Sequence, residues 1–253
     1  MSRARRSLRF AALSLALGAL VAAPRAPFPG PARASVPTGV PVFSAPLVVD
    51  NSYSPFQPGA VKVFSGRSDG APTTVVDVYL SGTRDFAWGP GTVSCRILQE
   101  TEFESGFLVE ISRNYFAQAD DGSVYYFGEI VDTYEDGLVV GHGGSWLVGG
   151  PSGGDPPETA TVADPALFMP AAPEAGDEYM PEDVPDGPQE RDRVLRADRA
   201  VKTPAGRFVN CLQVLETDVA DGSKEQKWYG PGVGVLRAKA KGEDLILVAT
   251  TLR

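Results

Sequence analysis

From residue 61 onward, apolar and polar residues alternate along most of the chain. Val61-Lys62-Val63-Phe64 alternates directly, and Thr73 to Leu80 is rich in β-branched residues. Val93, Cys95 and Ile97 share a face, as do Phe107, Val109, Ile111 and Tyr115. A period of two is the mark of a half-buried strand. Asp69-Gly70, Asp121-Gly122 and Asp136-Gly137 punctuate the pattern. Asp and Gly tolerate the positive φ that tight hairpin turns demand. Further strands are predicted at Val124–Val131, Leu138–Val140, Ser145–Val148, Arg207–Thr217, Ser223–Tyr229, Val235–Lys239 and Leu245–Thr250. The stretches 61–64 and 73–80 read as a first hairpin, and 235–239 with 245–250 as a last one. No amphipathic helix period follows the first 34 residues.

One short phrase occurs twice. Cys95-Arg-Ile-Leu-Gln-Glu100-Thr101 and Cys211-Leu-Gln-Val-Leu-Glu216-Thr217 both place Glu and Thr five and six residues after a cysteine. Each copy then reaches a Gly (Gly106, Gly222) and a Tyr (Tyr115, Tyr229). This duplication speaks to architecture. The predicted fold is all-β, an antiparallel curved sheet or partly open barrel built from two similar strand modules. The modules span about 47–148 and 190–253 of a single β domain, 47–253. Between them, residues 158 to 189 show no clean period. They carry Pro173, Pro181, Pro185 and Pro188 and many acids, and read as an extended crossing.

The first residues change the charge picture. Arg3, Arg5, Arg6 and Arg9 precede an apolar run, Phe10 to Ala23, of about 14 residues, short of the ~20 that a spanning helix needs. Ala32-Arg33-Ala34 fits a cleavage site. Residues 1–34 therefore read as a signal peptide, and the Pro-, Ser- and Ala-rich residues 35–46 as a flexible tether. Localisation is expected to be periplasmic or extracellular, with no transmembrane segment in the mature chain. Six of the 23 Lys and Arg, and none of the 32 Asp and Glu, lie in residues 1–34. The mature chain then holds 17 basic against 32 acidic residues, a net of −15. So acidic a surface repels nucleic acid. With 28 Gly and 22 Pro beside 43% hydrophobic residues, frequent turns between short strands are expected rather than disorder.

Little in the chain announces chemistry. Two cysteines in an exported protein suggest a disulfide, Cys95 to Cys211, with two buried thiols as the alternative. The bridge would close a loop of more than 100 residues, worth about 4–5 kcal/mol in the chain-entropy account. His142, the one histidine, sits in Gly141-His142-Gly143-Gly144-Ser145 and reads as a turn residue. No G-x-S-x-G elbow accompanies it, and a single histidine excludes the usual multi-His zinc sites. Asp120-Asp121-Gly122 lacks the D-x-D-x-D-G calcium spacing. Gly230-Pro231-Gly232-Val233-Gly234 is turn chemistry. Carboxylates are abundant, yet no pair stands out. No catalytic residue, metal site or cofactor is assigned. Aromatic residues, chiefly Tyr115, Tyr126, Trp146 and Trp228, are candidates to line an apolar ligand pocket or simply to pack the core.

Several stretches are similar to an uncharacterised family of exported bacterial β-rich proteins. They are Asn51 to Gly66, Tyr115 to Glu129, Tyr134 to Gly137, Gly144-Ser145-Trp146, Met169-Pro170 with Gly176-Asp177, and Phe208 to Leu212 through Tyr229 to Gly234. The resemblance implies a bacterial envelope or secreted location and a curved antiparallel sheet, and carries no activity or catalytic residue with it. The expected function is that of a non-enzymatic exported β-domain. It would bind a lipid or another apolar small molecule, or serve as a cell-envelope accessory protein. A carboxylate-based hydrolase and a purely structural surface protein are the alternatives.

Overall fold

The structure is a computed structural model and describes residues 35–185 and 187–252. The export segment expected over residues 1–34 lies outside the described residues. The fold is all-β, with no helix among the described residues. Its strands are β1 (Val61–Ser68), β2 (Ala71–Trp88), β3 (Gly91–Glu104), β4 (Phe107–Gln118), β5 (Val124–Glu135), β6 (Leu138–Gly141), β7 (Trp146–Val148), β8 (Ala160–Val162), β9 (Ala166–Met169), β10 (Glu178–Asp183), β11 (Gln189–Thr203), β12 (Gly206–Asp218), β13 (Lys224–Gly230), β14 (Gly234–Ala240) and β15 (Glu243–Thr250).

All belong to one sheet, ordered β10-β11-β12-β13-β14-β15-β1-β2-β3-β4-β5-β7-β8, with β6 and β9 also paired to β5. Neighbours run antiparallel except β7 and β8. The predicted first and last hairpins are β1–β2 and β14–β15. Their turns use the anticipated chemistry: Asp69 and Gly70 have φ of 46° and 84°, and Asp136 and Gly137 have 51° and 78°. Two consecutive positive φ values match the right-handed twist of the flanking strands. The last strand, β15, lies beside the first, β1, so the two modules meet edge to edge at that ladder. A bulge between Val63 and Phe64 bends it.

The sheet is curved and does not close by a backbone ladder. Side chains bring its two ends together instead. Trp146 on β7 donates its indole N–H to Glu182 on β10 at 3.1 Å. The Tyr179 hydroxyl on β10 contacts Met169 Sδ on β9 at 3.9 Å. Residues 158–189, expected as a crossing without regular structure, thus supply β8, β9 and β10. Prolines stop helices but are tolerated on sheet edges, and Pro181 lies in β10, an edge strand whose register shifts between Tyr179 and Glu182.

The larger hydrophobic cluster gathers Phe86, Val93, Cys95, Phe116, Phe127, Trp146, Leu147 and Leu212 among others. A smaller one gathers Phe64, Val75, Cys211, Val233, Leu236, Leu245 and Leu247. Residues 35–46, expected as a tether, run against the sheet. Phe43 packs edge-on against Trp88, Tyr125 and Phe127 at centroid distances of 5.5–5.7 Å. Ser44 donates from both its backbone N–H and its hydroxyl to Asp120.

The expected disulfide is not formed; both cysteines are free and fully buried. Cys95 lies on β3 and Cys211 on β12, with β13, β14, β15, β1 and β2 between them in the sheet. They pack in different clusters, whereas a bridge needs Cα atoms within about 7 Å. Burial pushes both thiols up from their ordinary pKa. Unreduced protein should therefore take up two alkylating groups when unfolded and none when folded, as read by intact mass. An unfolded, unreduced chain that takes up none would restore the bridge.

Candidate functional site

A cavity of about 170 Å³ opens on the inward face of the sheet. Strands from both modules contribute to its wall, together with the segment Val49–Phe56 that precedes β1. Asn51 anchors that segment. Its side-chain amide donates to the carbonyls of Gly122 and Pro170, and its oxygen accepts the backbone N–H groups of Tyr53 and Ser54. The Tyr53 hydroxyl reaches across to the carbonyl of Asn210 in β12. One short segment thereby ties the β4–β5 region to the other module.

The β4–β5 side of the cavity is aromatic. Phe116 and Tyr126 stack at 4.7 Å with planes 17° apart, and Phe168 of β9 lies tilted against Phe116, also at 4.7 Å. Trp146 stands edge-on behind Tyr126 at 5.0 Å. Gly128 permits this approach. Its φ is 126°, and a Cβ there would meet the Trp146 carbonyl oxygen at 2.2 Å, so no side chain fits where β7 crosses β5.

The sheet side of the cavity is acidic. Strand alternation explains how the acids arrive inside. On β2, Asp77 shares a face with Val75 and Tyr79, and all three line the cavity. Lys62 and Phe64 do the same on β1, and Lys227 and Tyr229 on β13. In the ladders, Asp77 lies directly opposite Glu100, and Asp192 directly opposite Glu216. Glu100 and Glu216 are the glutamates of the duplicated phrase. The duplication thus places a facing carboxyl pair from each module in one cavity. The cysteines of the phrase sit in unlike surroundings, whereas its glutamates sit in like ones.

Like charges directly across a sheet destabilise it, so each pair needs neutralising. Lys62 Nζ lies 3.2 Å from Asp77, and Lys227 Nζ lies 2.5 Å from Glu216 and 3.7 Å from Glu225. The Asn114 amide donates to Glu100 at 2.8 Å, while its oxygen accepts the Tyr126 hydroxyl. Asp192 lies within hydrogen-bonding reach of the Tyr179 hydroxyl and of Glu216. Even so, Asp77 Oδ1, Asp192 Oδ1 and Glu216 Oε1 are buried with no hydrogen-bond partner.

The remaining acids hold protons tightly. Burial first, then the neighbouring Asp77 carboxylate, pushes Glu100 up to about 8. Burial, with Glu216 next, raises Asp192 and Glu190 well above the usual carboxylate range. Burial raises Asp77 and Glu225 too, against the opposing pull of Lys62 and Lys227 respectively. For Lys227, burial opposes the charged form, and Glu216 and Glu225 outweigh it.

Of the four aromatic residues singled out in the sequence, Tyr126 lies on the cavity wall and Trp146 lies directly behind it. Tyr115 is buried elsewhere, against Phe86 and beneath the Arg84 guanidinium, which Asp155 grips with two hydrogen bonds. Trp228 falls between the cavity residues Lys227 and Tyr229 and so faces the other way, with Arg237 over its ring at 5.4 Å. His142 occupies a turn, where Nδ1 lies 2.8 Å from Asp132 Oδ1 and 3.1 Å from the Val131 carbonyl oxygen, apart from the cavity.

Sequence reading missed the carboxyl pairs and both lysines. Their signal was a charged residue at an inward position of an alternating strand, as in Val75-Val76-Asp77-Val78-Tyr79 and Glu225-Gln226-Lys227-Trp228-Tyr229. Among the described residues, no three His, Cys, Asp or Glu converge closely enough to hold a metal ion. No helix among them is long and apolar enough to cross a membrane. Comparison of the chain with family models, with curated proteins and with solved structures finds no match.

The raised carboxyls predict a stability that falls as pH rises. Glu100 binds its proton more tightly folded than unfolded. Its contribution is complete below about 4.5, the ordinary value, and is lost as pH climbs through about 8. Asp77, Glu190, Asp192 and Glu225 act in the same sense. Urea midpoints should be lower near pH 8 than near pH 5; equal midpoints would refute the assignment. Lys227→Met should cost about 3–5 kcal/mol near pH 8, the penalty for leaving buried charge uncompensated. The loss should shrink near pH 5, where the raised carboxyls Glu225, Glu190 and Asp192 carry protons. A pH-independent loss in the same denaturation series would mean that Lys227 acts through packing alone.

Proposed function

We propose that this protein is an exported, non-enzymatic β-domain that binds a small, largely apolar molecule in the cavity between its two modules. The observation that carries this reading is the cavity itself, about 170 Å³, walled by Phe116, Tyr126 and Phe168. An apolar cavity of about 150 Å³ holds benzene, so the space suits one ring or a short chain. A lipid would enter by only part of a chain. Export rests on the basic, then apolar, pattern of residues 1–34.

A second reading, a carboxylate-based hydrolase, is favoured by Asp192, which faces Glu216, because a strongly perturbed carboxyl in a cleft marks many active sites. The pair suits glycoside cleavage poorly. Those carboxyls stand about 5–9 Å apart to admit the sugar or a water, whereas Asp192 and Glu216 are within hydrogen-bonding reach of each other.

Ala238, a cavity residue on β14, provides the test. Wild-type protein purified from its own host should show a small-molecule adduct by native mass spectrometry, absent under denaturing conditions. Ala238→Phe fills the space and should abolish the adduct while the variant still unfolds cooperatively. Wild-type protein without an adduct, or a folded variant that retains it, would count against the binding reading.

A further inference from the structure

We propose that the cavity is selective for a small organic cation, an ammonium group on a compact apolar body of roughly benzene size, in preference to neutral or anionic ligands of the same shape. This rests on the binding reading above and names the ligand class. Two features of the cavity wall point the same way.

The first is its hydrogen-bonding inventory. Asp192 and Glu216 are each about 1% exposed, and Asp77 is 3% exposed. All three residues line the cavity, and each has one buried carboxyl oxygen without a hydrogen-bond partner, namely Asp192 Oδ1, Glu216 Oε1 and Asp77 Oδ1. A buried acceptor left unsatisfied costs about 1–3 kcal/mol, and more if charged. A donor from a ligand would satisfy them, in the Asp192–Glu216 pair by displacing the proton that Asp192 holds, and an ammonium carries up to three N–H donors with no acceptor. A carboxylate ligand brings acceptors to a wall that already has too many. An alcohol brings one donor and no charge.

The second feature is the charge balance. Seven acids line the cavity: Asp77, Glu100, Glu129, Glu182, Glu190, Asp192 and Glu216. Against them stand, among the described lining residues, two cations, Lys62 and Lys227, both engaged, Lys62 with Asp77 and Lys227 with Glu216 and Glu225. Protons on Glu100, Glu190 and Asp192 meet the rest of the balance, and an entering cation can take their place. No cation is left to receive an anionic ligand. The aromatic wall completes the match, since the faces of Phe116, Tyr126 and Phe168 favour a positive charge close by.

A metal ion fits less well. Calcium gathers six to eight oxygens at about 2.3–2.6 Å, and no three acidic, His or Cys side chains among the described residues converge enough to hold a metal. An ammonium is satisfied by two or three acceptors, with the rest of its body on an apolar wall.

The test compares three near-isosteric probes, benzylamine, benzyl alcohol and benzoate, by titration calorimetry on wild-type protein at about pH 8, where benzylamine is an ammonium. Benzylamine should bind about tenfold or more tighter than benzyl alcohol, with benzoate weakest. Glu216→Gln should erase most of that preference. If benzyl alcohol binds as tightly as benzylamine, the cation selectivity is wrong and the binding reading stands. If benzoate binds best, the charge argument is likewise overturned. If none of the three binds, the binding reading falls and the selectivity with it. The wild-type ranking decides the matter even if Glu216→Gln fails to fold.

Discussion

Neutralising buried carboxylates is the constraint on which this architecture depends. Asp77 faces Glu100 and Asp192 faces Glu216 across adjacent strands, in surroundings where an isolated charge is costly. Each pair has one lysine within ion-pair distance. The cation sits differently in the two modules. Lys62 lies on the strand before its Asp, whereas Lys227 lies on the strand after its Glu. Two lysines do not neutralise the set, and the balance is met by protons held on Glu100, Glu190, Asp192 and Glu225. A sheet selected for stability alone would fill these inward positions with Val or Leu, as neighbouring Leu212, Val214 and Leu245 do. The polar residues are where local rules are broken, which is where function is expected to lie.

The curved sheet makes such a site possible. An antiparallel meander whose last strand pairs with its first sets two modules side by side with no long crossing in the core. Curvature turns their inward faces toward one another. The ends then meet through Trp146–Glu182 and Tyr179–Met169 rather than through a ladder. Trp146 therefore serves two purposes, backing the aromatic wall at Tyr126 and fastening the seam at Glu182. The segment Val49–Phe56, held by Asn51 and Tyr53, bridges the same two modules from outside the sheet.

Part of this was legible in the sequence and part was not. Strand positions and hairpin turns followed from alternation and from Asp-Gly pairs, because both are local. Strands β8, β9 and β10 were not legible. They are short strands, β10 carrying Pro181, that exist only because β7, β5 and β11 offer them partners. The duplicated phrase was visible, but the meaning of its glutamates was not. Glu100 and Glu216 look like solvated acids until the opposing Asp77 and Asp192 are known, and those come from strands whose register the sequence does not state. The cysteines misled for a similar reason. Matching positions in two copies suggested that they meet, whereas five strands stand between them.

By itself the sequence determined an all-β fold with turn-rich connections and an acidic balance, because period-two patterning, Asp-Gly turns and composition act over a few residues or over the whole chain at once. Only the tertiary structure decided which acids face each other, which lysines answer them, that the thiols stay apart and that a cavity lies between the modules. Those outcomes depend on which strands become neighbours and on how far the sheet curves. Both are set by register and packing between strands, at separations that run from 11 residues for Lys227 and Glu216 to more than a hundred where the two modules meet, and local pattern carries no information about either.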